Sequence, residues 1–285
     1  MDCPPRGPTL LPRGQLLPAL VMLRPIPLIS NRNWLKLLRI GRGRLCPPTP
    51  PTPPTPLQHS AQRLADPMPE NVTRRPSDFA AVLRAALPPG VSLGHADPAR
   101  LYPLAPGEGL ASAVPKRQIE FSAGRAAARS GLGLPDQSLP IGPDRAPIWP
   151  SGRVGSITHC AGLCLAIVGQ SDDYEGLGLD AEPEEDVNPA HWEQILRPDE
   201  AAADGLAVLA HFVAKEAAYK AQFPISKQLF GFHCLRLRFS QNDFKAEFME
   251  TVLPFSKGHS LHGQILRAGG YLGAVVALRQ PQPGA

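Results

Sequence analysis

Apolar residues recur along this chain with two periods, and the points where the period changes divide it into elements. Over residues 77–87 the run SDFAAVLRAAL keeps its apolar positions at helical spacing behind a Ser or Asp cap, and Pro88, Pro89 and Gly90 end it, so a helix is predicted. A short strand follows over 90–93. From about Val114 the run KRQIEFSAGRAAARSGL predicts a longer helix that turns Phe121 and its alanines inward and stops at a glycine near Gly131. Two β-prone runs, 155–159 and 163–168, joined by Cys160, Ala161 and Gly162, predict a hairpin whose second strand is apolar enough to be buried on both faces.

Strict alternation marks residues 176–182. It sets Leu177, Leu179 and Ala181 on one face of a strand and Gly176, Gly178, Asp180 and Glu182 on the other, with the glycines leaving room beside the carboxylates. A helix is predicted over 189–196 and another over 204–222, where Leu206, Leu209, Val213 and Ala217 form the apolar stripe. Glu216 and Lys220 fall inside that stripe. An acid and a lysine directed at a core need a partner or a task to offset their desolvation. Strands over 232–239, 244–249 and 271–278 complete the pattern. The likeness of GLCLAIVG (162–169) to GGYLGAVVAL (269–278) points to a duplicated α+β lobe.

Composition separates a tail from this region. Residues 1–70 hold 16 of the 35 prolines, including the Pro-Pro-Thr run over 47–56, which favours extended polyproline backbone over a packed core. The tail is expected to be disordered, and the working chain to begin near Met68. Nine basic against three acidic residues give it a net charge of +6, which leaves −2 for residues 71–285 of a chain whose total is +4. The basic balance therefore belongs to the tail, where Arg32, Lys36, Arg39, Arg42 and Arg44 cluster, and no nucleic-acid partner is expected of the folded part. The apolar run over 16–29 is interrupted by Pro18, Arg24, Pro25 and Pro27 and falls short of the ~20 residues a bilayer span needs, so neither a membrane anchor nor a signal peptide is read there. Five cysteines, an odd number without CxxC pairs, fit buried thiols in a reducing, cytoplasmic setting. His159 beside Cys160 has no second Cys/His cluster to make a zinc site.

The candidate chemistry gathers on a few residues. Asp180, Glu182 and Glu216 offer three hard oxygen donors of the kind magnesium takes together with substrate phosphates. Arg117 and Arg125 are eight residues apart on the predicted helix and stand within about 80° of one another, close enough to grip one polyanion. With Arg145, His159, Lys215 and Lys220 they form a set suited to a pyrophosphate and a further phosphate. The substrate so implied is a phosphate-rich nucleotide.

At these residues the chain resembles the 4′-phosphopantetheinyl transferases of the larger, monomeric type, in the enterobactin synthase component D branch. The resemblance rests on KRQIEFSAGR (116–125), RAPIWPSGRVGSITHC (145–160), GLGLDAE (176–182) and FVAKEAAYKA (212–221), in the family's order. It implies an α+β fold of two pseudo-symmetric lobes, roughly 71–170 and 171–285, with coenzyme A and magnesium in an active-site cleft between them. The implied reaction moves phosphopantetheine from coenzyme A to a serine of an acyl, peptidyl or aryl carrier protein, as in siderophore assembly. By the same resemblance Asp180, Glu182 and Glu216 are the metal ligands, and Glu216 is also the base, directly or through a bound water. Lys220 stabilises the pyrophosphate or protonates the leaving group. Lys215 holds a coenzyme A phosphate, and Arg117, Arg125, Arg145, Thr158 and His159 form the rest of the coenzyme A shell.

Two departures from the family pattern stand out. Thr158 replaces a common serine and keeps the hydroxyl, and Ala181 replaces a branched aliphatic between the carboxylates, on the core side of the strand. Plainer readings stand beside the functional ones. Glu216 and Lys220 can form an i,i+4 pair bridging two lobes, Arg117 and Arg125 can be solvated helix charges, and His159 a capped core histidine. Trp149 reads as packing. Phe223, Leu229 and Phe230 read equally as core or as a docking surface for the carrier. As a function from another class, a non-catalytic coenzyme A or carrier-binding protein would have no need of the full carboxylate set.

Overall fold

The computed structural model describes residues 73–109 and 113–281. The expectations for the proline-rich tail lie outside the described residues. The element order is α1 (Pro76–Ala86), β1 (Ser92–His95), α2 (Pro115–Leu132), β2 (Arg153–Cys160), β3 (Leu163–Gln170), β4 (Tyr174–Pro183), a 3-10 turn (Pro189–His191) running into the single turn α3 (Trp192–Ile195), α4 (Gly205–Ser226), a 3-10 turn (Phe232–Cys234), β5 (Leu235–Ser240), β6 (Asp243–Phe248), β7 (Ser260–Ala268) and β8 (Tyr271–Arg279). The fold is α+β with two antiparallel sheets, one of three strands in the order β1-β3-β2 and one of five in the order β4-β8-β7-β6-β5. No helix among the described residues is long and apolar enough to cross a membrane.

The hairpin forms from the two β-prone runs as predicted, and β3 is buried on both faces. Cys164, Ala166 and Val168 pack under Ala123, Ala127 and Ala128 of α2, while Leu165 and Ile167 join Phe79 and Leu83 of α1. Small residues let α2 press onto this sheet: a Cβ at Gly94 would lie 2.0 Å from the Ala127 carbonyl oxygen. Gly133, with φ 67°, closes α2 in the left-handed conformation typical of a helix C-cap. Trp149 serves as packing, since a Cβ at Gly155 would meet its ring at 2.6 Å.

α4 fills the other side of the five-stranded sheet. Its Val208, Val213, Ala214, Ala217, Ala218 and Ala221 are fully buried with Phe248 and Ala246. Asp204 caps its N-terminus by accepting from the Ala207 amide at 2.8 Å. The helix runs on past Gln222 to Ser226, with Pro224 in its last turn. Strand β7 was not among the predicted elements; it lies between β6 and β8 and buries Leu261, Ile265 and Leu266. Cys160, Cys164 and Cys234 are buried, though Cys234 sits in a 3-10 turn rather than a strand.

Candidate active site

The alternation read in β4 places the acids. Leu177, Leu179 and Ala181 enter the core shared with α1, and Gly176, Gly178, Asp180 and Glu182 face α4. The glycines make room for the helix backbone rather than for the carboxylates. A Cβ at Gly176 would stand 2.0 Å from the Ala221 carbonyl oxygen, and one at Gly178 would stand 1.8 Å from that of Ala217. Two strand residues (~6.6 Å) and four helix residues (~6 Å) cover about the same length, so β4 and α4 stay in step as they run antiparallel. This close docking carries Glu216 and Lys220 to the level of Asp180.

Lys220 does not take its i,i+4 neighbour as partner. Its ammonium donates to Asp180 Oδ1 at 2.7 Å, to the Leu179 carbonyl at 3.0 Å and to that of Ile157 at 3.4 Å. Asp180 is wholly buried in this pair, while a quarter of the Lys220 side chain stays exposed. Glu216 lies near enough for its carboxyl to be pushed up to about 7, first by burial and then by the Asp180 charge, with Lys220 pulling the other way. Glu182 is 2% exposed.

The residue types suit a hard divalent cation: Asp180 and Glu182 stand two apart on one strand, and Glu216 on the helix feels the Asp180 charge. As the side chains stand, among the described residues no three His, Cys, Asp or Glu groups come together tightly enough to hold a metal ion. Asp180 instead rests on Lys220 and on the Thr158 hydroxyl, 3.1 Å away.

A basic cluster forms on α2 and the end of β2. Arg117 Nη1 lies 3.5 Å from His159 Nε2, and its guanidinium is held below the usual arginine range by burial, with Arg145 pushing the same way and Glu120 opposing. Arg125 is 5% exposed and stacks on Phe121 at 4.4 Å. Its Nε finds no hydrogen-bond partner among the described residues. Burial first, and the charges of Arg129 and Arg117 after it, bring its pKa down to about 10 against the pull of Glu108. A buried guanidinium lowered by two neighbouring arginines is suited to receive an anion. Arg145 is exposed and sits at φ 66° in its loop.

Two of the expected phosphate ligands, Lys215 and Thr158, make contacts within the fold. Lys215 is one residue, and hence about 100°, around the helix from Glu216. Its ammonium is buried between the Ile195 carbonyl at 2.8 Å and Glu200 Oε2 at 2.6 Å. Glu200 is fully engaged, accepting also from the amides of Arg197 and Leu237. Nothing in the local sequence pairs Glu200 with Lys215; only the turn RPDE ahead of α4 hints that an acid closes there. Thr158 is 2% exposed, and its hydroxyl bonds Asp180 and the Ala181 amide. Of the apolar trio after the helix, Phe223 is buried, Phe230 packs on Tyr219 and Phe248, and Leu229 is half exposed. A cavity of about 750 Å³ lined by Tyr102, Pro103, Arg129, Ser130 and Asp136 touches none of the predicted site residues.

Comparison with known proteins agrees with the motifs. Residues 105–169 match the family model of the 4′-phosphopantetheinyl transferase N-terminal domain. The chain is 38% identical over 173 residues to 4′-phosphopantetheinyl transferase PptT of Mycobacterium tuberculosis, which covers 56% of this chain and 76% of that protein. It is 34% identical over 147 residues to 4′-phosphopantetheinyl transferase Npt of Nocardia iowensis, covering 48% and 66%. With enterobactin synthase component D of Salmonella typhi it shares 35% identity over 126 residues, 39% of this chain and 51% of that protein.

Proposed function

Because the chain belongs to the 4′-phosphopantetheinyl transferase family, we propose that it transfers phosphopantetheine from coenzyme A to a serine hydroxyl of a carrier protein domain. The observation that carries this reading is the meeting of Asp180, Glu216 and Lys220 across the β4–α4 contact, with Thr158 tying Asp180 to the strand that carries His159. Two lobes, one built on each sheet, would enclose the substrate between these charges and the basic cluster on α2 and β2. Asp180, Glu182 and Glu216 are the residues that would hold magnesium, which when bound neutralises the charge of the coenzyme A pyrophosphate.

The protein's own groups divide the remaining work. Arg117, Arg125, Arg145 and His159 bind the phosphates of coenzyme A and fix its orientation. Glu216, whose carboxyl is raised to about 7, is matched to accept the proton of the incoming serine near neutrality. The serine oxygen forms a bond to the phosphorus that carries pantetheine as the bond to the adenosine bisphosphate oxygen breaks. Lys220, with part of its side chain open to the site, stabilises the charge on that departing oxygen or gives it a proton. Lys215 has no direct part; its pair with Glu200 anchors α4 against the turn before it. The enzyme is read as a magnesium-dependent cytoplasmic monomer with carrier proteins of siderophore or related assembly as its partners.

The test is an intact-mass assay. A panel of apo carriers incubated with coenzyme A, magnesium and the full chain should each be examined for the mass gain of one phosphopantetheine and for release of adenosine 3′,5′-bisphosphate. Binding of coenzyme A with no gain on any carrier would leave a binding protein instead of a transferase.

A further inference from the structure

Helix α2 buries two guanidiniums four residues apart on one face, those of Arg125 and Arg129, and the buried carboxylate of Glu108 acts on both. The two are served unequally. Arg129 Nη1 donates to both Glu108 oxygens at 2.9 Å, and its Nη2 donates to the Pro103 carbonyl at 2.9 Å. The amides of Leu139 and Ala105 give the same carboxylate two more bonds, at 2.7 and 3.0 Å. These contacts use up the roughly four acceptor positions of a carboxylate. Arg125 shares in none of them: it stacks on Phe121, and its Nε finds no partner among the described residues.

Arg125 nonetheless feels Glu108 more than any other charge. Burial is the largest cause of its lowered pKa; Glu108 opposes that fall, and Arg129 and Arg117 add to it by less. A buried carboxylate at that range is a rival to any phosphate for the same guanidinium, because charge-assisted pairing is strong where water is excluded. Glu108 also joins the segment before α2 to the one after it, through Ala105 and Leu139, so the fold has a use for its charge apart from Arg125.

We propose that Arg129 is a positioning residue that keeps Glu108 engaged and so leaves Arg125 free for a phosphate of coenzyme A. The inference rests on the proposed function, in which Arg125 belongs to the phosphate shell. It accounts for a second buried arginine one turn beyond the first, where two like charges would otherwise only repel.

The experiment compares Arg129→Gln, Glu108→Gln and the double variant in the full chain, reading adenosine 3′,5′-bisphosphate binding by calorimetry in EDTA. Arg129→Gln should weaken the nucleotide about tenfold or more, because the released carboxylate turns to Arg125 and a charge-assisted contact is lost. Adding Glu108→Gln should return the affinity to within about twofold of wild type, although the double variant lacks the same arginine. In an Arg125→Gln background, Arg129→Gln should have no further effect. Support of α2 alone predicts no such rescue, so an affinity that falls again in the double variant would overturn the proposal. If Arg129→Gln does not fold, Glu108→Gln carries the test: with the rival carboxylate gone, nucleotide affinity should hold or rise, and a fall would overturn the proposal. Wild type that binds no nucleotide and modifies no carrier would remove the reading of the whole site, whereas equal nucleotide binding by wild type and Arg129→Gln removes only the role of Arg129.

Discussion

Replacing Glu216 with glutamine should abolish transfer and at the same time make the protein more stable in alkali. The carboxyl titrates at about 7 instead of 4.5 because it is buried and faces Asp180. A raised acid binds more protons in the folded state, so its contribution to stability is whole below pH 4.5 and is lost as the pH rises through about 7. The shift corresponds to on the order of 3 kcal/mol at pH 8 but only about 1 kcal/mol at pH 5. The neutral, isosteric amide carries no such slope. Glu216→Gln should therefore gain about 2–3 kcal/mol over wild type between pH 5 and pH 8, or roughly 5–10 °C in melting temperature for a region of this size. Thermal unfolding of both proteins in EDTA at the two pH values measures it. Magnesium added at pH 8 should raise the melting point of wild type and leave the variant unmoved. A melting difference that is flat with pH would refute the claim that an uncompensated carboxylate is held there.

Three further outcomes follow from the same contacts. Gly178→Ala places a methyl 1.8 Å from the Ala217 carbonyl oxygen; it should push α4 off β4, lowering stability by about 1–3 kcal/mol in urea titration and turnover by more than Glu182→Gln does. Lys215→Met strands the buried Glu200 carboxylate and should cost about 3–5 kcal/mol, while the KM for coenzyme A, measured on the folded fraction, stays near wild type. Arg125→Gln should raise that KM about tenfold or more with kcat little changed and without lowering the melting point, because the buried guanidinium it removes is desolvated and crowded by Arg117 and Arg129.

Much of the fold was legible because its elements are strongly patterned. The alternation over 176–182 assigned the correct faces of β4, and the apolar character of β3 foretold its burial on both sides. Strand β7 escaped because Gly263 and the polar His262 and Gln264 dilute its alternation, although Leu261 and Ile265 keep the period. The end of α4 was set too early because Pro224 falls in its last turn, where the helix tolerates it. Within the site, spacing singled out Asp180, Glu216 and Lys220, and the fold sets Lys220 on Asp180 with Glu216 beside them. The contacts of Lys215 and Thr158 within the fold were not legible, since Glu200 and Asp180 reach them only through tertiary packing. No local pattern tells a lysine aimed at a phosphate from one aimed at a buried acid one turn of backbone away in space.

The claim on which the account depends is that Asp180, Glu182 and Glu216 close around one divalent cation when coenzyme A is present. Crystals grown with coenzyme A and Mn²⁺, measured at the manganese absorption edge, locate that ion directly. The account predicts one anomalous peak bounded by oxygens of these three side chains and of the coenzyme A pyrophosphate. A peak elsewhere, or coenzyme A in place with no peak between β4 and α4, would contradict it.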